Sequence, residues 1–187
     1  MRNLIYGINL TADGCCEHTK GKANEEVHEY FTDLMHDVDL LVYGRKTYEL
    51  MVPYWPDVAK SHSGTKDENE FARKFTAIDK LVFSKTLKSV DGNARLVRDG
   101  LKKEILRLKQ EPGKKISTGG VDLPSQLIAL NLVDEFYFVI HPILAGKGRR
   151  LLDTTLIKGN TDLELVSSKV FKSGFVALHY IKADSEF

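Results

Sequence analysis

Cysteine, net charge and long apolar runs are all scarce in this chain. It has two cysteines among 187 residues, and they are neighbours, Cys15 and Cys16. Adjacent cysteines cannot bridge without severe strain. A disulfide framework is therefore excluded, and so is a thiolate zinc site, which needs spaced ligands. The 27 basic and 26 acidic residues leave a formal charge of +1. Nucleic-acid binders ordinarily carry a basic excess or stripe, so any affinity for an anion has to come from a local arrangement. The apolar run behind Met1 is broken at Asn9, too short for a signal peptide, and no later segment approaches the length of a membrane span. The expectation is a cytoplasmic protein with neither a membrane nor a nucleic-acid partner. A hydrophobic content of 42% supports a sizeable core, and the length suits one domain, residues 1–187, better than two.

What is present alternates between strand and helix patterns. Asn3 to Leu10 reads as a strand, with Leu4, Tyr6, Ile8 and Leu10 on one face. After a polar stretch, Asn24 is placed to cap a helix reaching about His36, whose Val27, Tyr30, Phe31, Leu34 and Met35 form a stripe. Asp39 to Tyr43 is a strand that Gly44 turns into a helix ending before Pro53. Pro53 to Thr65 reads as a polar loop, and Asp67 to Ala77 as a helix. Strands follow at Lys80 to Ser84 and Arg95 to Arg98, then a helix capped by Asp99. Lys115 to Thr118 is the next strand, Gly119-Gly120 its turn, and Leu123 to Leu130 a helix. Phe136 to Ile140 is an apolar strand that Pro142 breaks. The last two strands, Leu163 to Phe171 and Phe175 to Ile181, form an antiparallel hairpin at Ser173-Gly174. Repeated β-α-β units and a closing hairpin imply an α/β sandwich around a mostly parallel sheet.

Chemistry is concentrated at the ends of strands. In Gly44-Arg45-Lys46-Thr47 a glycine, two cations and a hydroxyl precede a helix, a pattern suited to phosphate; the same pattern also serves a tight turn with solvated charges. Gly119 and Gly120 would let a ligand lie against the backbone or would serve helix–strand packing. Ser84-Lys85-Thr86 is suited to an extra phosphate. Thr11 and Asp13 offer a hydroxyl and a carboxylate, although Asp13-Gly14 is also a turn pair. The segment His141 to Arg150 holds glycines and basic residues, either an anion-binding loop or a flexible connection. Neither a Gly-x-Gly-x-x-Gly fingerprint nor a Walker loop is present. A parallel topology would gather most of these elements on one edge.

In this order the motifs resemble the dihydrofolate-reductase-like family that includes the C-terminal reductase domain of the bifunctional riboflavin-biosynthesis enzyme, in the style of its small stand-alone bacterial members. The matching stretches are Thr11-Ala12-Asp13-Gly14, Gly44 to Glu49, Tyr54-Trp55-Pro56, Phe83 to Leu87, Gly119-Gly120, Leu132 to Glu135 and Pro142 to Gly148. The resemblance implies a central sheet of about eight strands and an NADPH-dependent reductase of a pyrimidine- or pteridine-like heterocycle. Gly44, Arg45, Lys46 and Thr47 would hold the diphosphate, and Ser84 and Lys85 the 2′-phosphate. Gly119, Gly120, Val121 and Leu123 would flank diphosphate and ribose. Thr11 and Asp13 would stand at the reacting rings, with Asp13's pKa raised there by partial burial against the opposing pull of a nearby Lys85 or Arg45, and Trp55 and His28 at the substrate. It also implies a homodimer, built on the strand Phe136 to Ile140 or on the terminal hairpin.

Two departures bear on this. Dihydrofolate reductases carry a buried carboxylate on the first helix, whereas Glu25, Glu26, Glu29 and Asp33 here avoid the apolar stripe; His28 falls near that place, or else is simply exposed. The zinc signature of the riboflavin enzyme's deaminase half is missing, so no metal is expected. Dihydrofolate reduction and a non-catalytic nucleotide-binding dimer are the alternative readings.

Overall fold

The computed structural model describes residues 1–183. In chain order these form β1 (Leu4–Thr11), α1 (Glu25–Met35), β2 (Val38–Gly44), α2 (Arg45–Met51), α3 (Tyr54–Ser61), α4 (Lys66–Ala77) and β3 (Asp79–Phe83). They continue with β4 (Ala94–Val97), α5 (Leu101–Gln110), β5 (Lys115–Thr118), α6 (Asp122–Ala129), β6 (Glu135–His141), β7 (Leu163–Val170) and β8 (Val176–Lys182). The strands make one sheet in the order β4-β3-β2-β5-β1-β6-β8-β7. The pairs from β4 through to β6 are parallel, and β8 is antiparallel to both β6 and β7.

The centre of the sheet is covered on both faces, as parallel strands require. Leu4 and Tyr6 of β1 pack with Ile105, Leu108, Leu123 and Leu127 from α5 and α6. The intervening Ile5 packs on the opposite side with Met35, Tyr48, Phe71 and Phe75 from α1, α2 and α4. The result is a three-layer α/β/α sandwich. Asn24 caps α1, its side chain accepting from the Val27 amide at 3.0 Å. Thr65 and Glu68 form a reciprocal capping box on α4. No helix among the described residues is long and apolar enough to cross a membrane.

Three expectations need correcting. The stretch after Pro53 contains a helix, α3, because Val58 is buried and the Trp55 ring packs at a tilt on Phe71 of α4, centroids 4.5 Å apart. Tertiary packing thus overrides a polar composition. The N-cap of α5 is Gly100, with φ +76° and no side-chain bond, so Asp99 does not cap it. The strand Phe136 to Ile140 lies inside the sheet between β1 and β8, so it offers no free edge to a partner.

Candidate functional site

Because β1, β2, β3 and β5 run parallel, their carboxyl ends meet on one edge, where open α/β sheets bind ligands. A cleft of about 1340 Å³ opens there. It is lined by Gly44 to Thr47, Ser84 to Thr86, Arg98 to Leu101, Val121 to Leu123, Cys16 to His18 and Arg149. Sequence reasoning missed Arg98, although its place after a parallel strand's carboxyl end was a readable signal, and it offered Arg149 only within the basic segment His141 to Arg150.

The cleft's cations are exposed, and all but Arg98 are held by carboxylates. Arg45 pairs with Glu49 at 2.8 Å and donates to Thr86 Oγ1 at 3.0 Å. Lys46 reaches Asp122 at 3.3 Å, Lys85 reaches Asp99 at 3.5 Å, and Arg149 also pairs with Asp122. The Ser84 hydroxyl accepts from the amides of Thr86 and Leu87 at 3.2 and 3.0 Å. Arg98 donates to the carbonyls of Ser84, Leu87 and Lys88 and thereby shapes the same loop.

The two glycines of the turn after β5 differ. An added Cβ at Gly119 would make only ordinary contacts, with Gly7 O and Tyr43 at 3.6 Å. Gly120 has φ +82°, and a side chain there would collide with Thr47 Oγ1. Its carbonyl accepts from the hydroxyl of buried Tyr6 at 2.7 Å. Gly120 therefore fixes the approach of α2 to α6. Gly119 and Gly120 are not among the residues lining the cleft, whereas Val121, Asp122 and Leu123 are.

Thr11 and Asp13 come together, but on a second loop. Thr11 Oγ1 donates to Asp13 Oδ1 and accepts from the Cys15 amide at 2.9 Å. The Asp13 carboxylate accepts from the amides of Ala145 at 3.0 Å and Gly146 at 2.8 Å. Hydrogen bonds from Thr11, Ala145 and Gly146 hold its pKa well below the usual carboxylate range, the reverse of the expected upward shift. Further bonds join Ala12 N to Ile143 O at 2.9 Å, Cys16 N to Arg149 O at 2.8 Å and Arg150 to Asp13 O. The segment 142–150 is thus a pinned strap rather than a flexible connection.

His28 and Trp55 are not among the residues lining the cleft. They pack edge-to-face at 6.0 Å, both against Phe71, between α1, α3 and α4. His28 is half-buried rather than exposed, and burial lowers its pKa. The inward residues of α1 are Val27, Thr32 and Met35, and Val27 sits with Val139, Phe171 and Ala177. No carboxylate of α1 takes that place.

As a donor set, three arginines, two lysines and hydroxyls beside a tight glycine turn fit a ligand that carries several phosphates. Among the described residues no group of three or more His, Cys, Asp or Glu could hold a metal ion.

The family model for the RibD C-terminal domain matches residues 2–177. The uncharacterized protein YyaP of Bacillus subtilis (strain 168) is 32% identical over 183 residues, 96% of this chain and 94% of its own. A crystal structure from Shewanella sp. PV-4, of a protein assigned by name to riboflavin biosynthesis, superposes with a TM-score of 0.73. It is 21% identical and covers 98% of this chain and 100% of its own. Dihydrofolate reductase from Enterococcus faecalis, complexed with NADP(H) and RAB-propyl, superposes with a TM-score of 0.62 at 13% identity, covering 97% of both chains. The fold is dihydrofolate-reductase-like.

Proposed function

The chain belongs to the RibD C-terminal domain family, and from that premise we propose that it is an NADPH-dependent reductase of a pyrimidine- or pteridine-like heterocycle. The reading is of the kind of 5-amino-6-(5-phosphoribosylamino)uracil reductase, carried by one domain over residues 1–187 in the cytoplasm. The observation that carries it is the convergence of Arg45, Lys46, Lys85, Arg98 and Arg149 on one cleft at the carboxyl edge of the sheet. Four carboxylates, Glu17, Glu49, Asp99 and Asp122, share that lining, and the phosphates of a cofactor are the stronger anions for these cations.

In this reading Arg45, Lys46 and Thr47 hold the diphosphate, with Gly44 and the Gly119–Leu123 turn leaving room for it. Lys85 meets the 2′-phosphate, beside the turn that the Ser84 hydroxyl organises. A bound nicotinamide supplies the hydride. The chain's own part is to orient the rings and keep water away. Thr11 and Asp13 act at the reacting end, where the ionised Asp13 holds the strap 142–150 over the site. A carboxylate held below its usual range does not donate a proton near neutrality, so the proton comes from water or from the substrate's surroundings. We place the substrate towards α1 and the His28–Trp55 cluster. Dihydrofolate reduction is disfavoured by the apolar packing around Val27.

Calorimetric titration with NADPH and NADH tests the cofactor. NADPH is expected to bind more tightly, by about 1.5–3 kcal/mol for each 2′-phosphate contact; equal affinities overturn the preference. Tight binding without turnover of any pyrimidine or pteridine would favour the non-catalytic nucleotide-binding module. We assign the homodimer to the outer hairpin, where Leu165 and Val170 are exposed.

A further inference from the structure

We infer that Asp122 and Arg149 form an ion-pair gate across the cofactor cleft, which the cofactor's diphosphate opens by replacing Asp122 as the partner of Arg149 and Lys46. This rests on the cofactor reading above and adds Arg149 and Asp122 to it with opposite signs.

Asp122 is the first residue of α6, immediately after the turn that Gly120 fixes. Its two carboxylate oxygens hold cations from two other elements. Lys46 Nζ of α2 lies 3.3 Å from Oδ2, and the Arg149 guanidinium of the strap donates to Oδ1. All three side chains line the cleft. A first-turn carboxylate complements the helix dipole by itself, but that does not require two cations to reach it from separate segments. The arrangement makes Asp122 an internal anion at the point where the donors converge.

The pairs are built to exchange. The Asp122 and Arg149 side chains are each about half exposed, and exposed ion pairs are weak. A diphosphate carries more charge than one carboxylate, and its oxygens suit the planar guanidinium fork. The Arg149 backbone meanwhile stays fixed, its carbonyl accepting from Cys16 N at 2.8 Å. Its side chain therefore changes partner about a rigid anchor. That anchor belongs to the strap whose Ala145 and Gly146 amides bind Asp13, so the strap gains a direct contact with the cofactor.

Asp122→Asn and Arg149→Ala separate the components, with NADPH binding followed by calorimetry and by stopped-flow fluorescence. Asp122→Asn is expected to bind roughly 3- to 10-fold more tightly, with faster association, because the internal competitor is gone. Arg149→Ala is expected to bind about 10-fold more weakly. In the double variant the gain from Asp122→Asn should shrink, since half of what it released is missing. Unchanged or weaker binding by Asp122→Asn, or unchanged binding by Arg149→Ala, overturns the gate while leaving the cofactor reading intact. If neither wild type nor variants bind NADPH, the cofactor reading fails, and inorganic diphosphate then decides the gate. A shift of the Arg149 side-chain Nε–H NMR signal, reached at lower diphosphate in Asp122→Asn, supports it, and an unmoved signal overturns it.

Discussion

At the amino-terminal edge of the parallel sheet the Arg2 and Lys109 side chains are 7% and 8% exposed and pair with Asp39 and Asp134. At the carboxyl edge those of Lys46 and Lys85 are 85% and 80% exposed and pair with Asp122 and Asp99. Both edges are rich in ion pairs, yet the physical consequences differ. A buried pair that loses one member leaves an uncompensated charge in a low-dielectric place. An exposed pair that loses one member leaves a charge that water accommodates. The amino-terminal edge therefore holds the fold, and the carboxyl edge keeps its cations available for another anion.

The largest expected effect comes from breaking the first edge. Buried Glu135 accepts from Asn3 Nδ2 at 2.7 Å, Tyr137 Oη at 2.6 Å and Lys115 Nζ at 3.0 Å. His179 Nε2 lies 3.1 Å from the same carboxylate. Glu135→Ala should cost about 3–5 kcal/mol of stability in urea denaturation, with NADPH affinity of the folded protein unchanged. Burial alone would raise this carboxyl's pKa, but hydrogen bonds from Tyr137, Asn3 and Lys115 outweigh it and bring the pKa down to about 2. Its folded value is below its unfolded one, so the carboxylate contributes stability above about pH 4.5, lost as pH falls through 2. Glu135→Gln should flatten the acid limb of the stability–pH curve in that window. A curve of unchanged slope would show that other carboxylates govern acid unfolding.

The same operation on the second edge should move affinity and leave stability alone. Arg45→Ala and Lys85→Ala are each expected to lose roughly 1.5–3 kcal/mol of NADPH binding. Their unfolding free energies should stay within about 0.5 kcal/mol of wild type. Loss of stability without loss of affinity would reverse the assignment of the two edges.

What the sequence revealed divides along similar lines. The parallel sheet, the closing hairpin and the meeting of Gly44 and Ser84 at one cleft were readable because strand periodicity and turn glycines are local signals. Helix α3 was not, since its one buried aliphatic residue and Trp55 become informative only against Phe71 of α4. The partners of Asp13 lie 132 and 133 positions away, and no spacing rule connects them. Its position suggested a ligand-facing acid with a raised pKa, and only the folded strap reveals why the shift runs the other way. Gly119 and Gly120 look alike in sequence, and their φ angles and neighbours separate them: valine at Gly120 would disturb the α2–α6 contact itself, whereas Gly119 remains the cleaner probe of the cofactor.

The smallest effect on cofactor affinity is expected from Asp13→Asn, which asks whether the strap belongs with the rigid edge or with the exchangeable one. Asparagine keeps one acceptor oxygen. Set against Thr11 and Ala145, that oxygen leaves an NH₂ group facing the Gly146 amide, a donor against a donor. The Gly146 amide then loses its partner, while Ala12, Cys16 and Arg150 still tie the strap to the first loop. Tm should shift by no more than about 2–4 °C, and hydrogen exchange at Gly146 should accelerate more than at Ala145. If Asp13 holds the strap and does not donate the proton, turnover with a true substrate should fall modestly and the pH–rate profile should keep its shape. A loss of about 10²–10⁴-fold together with a missing limb in that profile would identify Asp13 as the acid. The bond network around Asp13 favours the first outcome, because protonating this carboxylate would set a new O–H against donors that already occupy both of its oxygens.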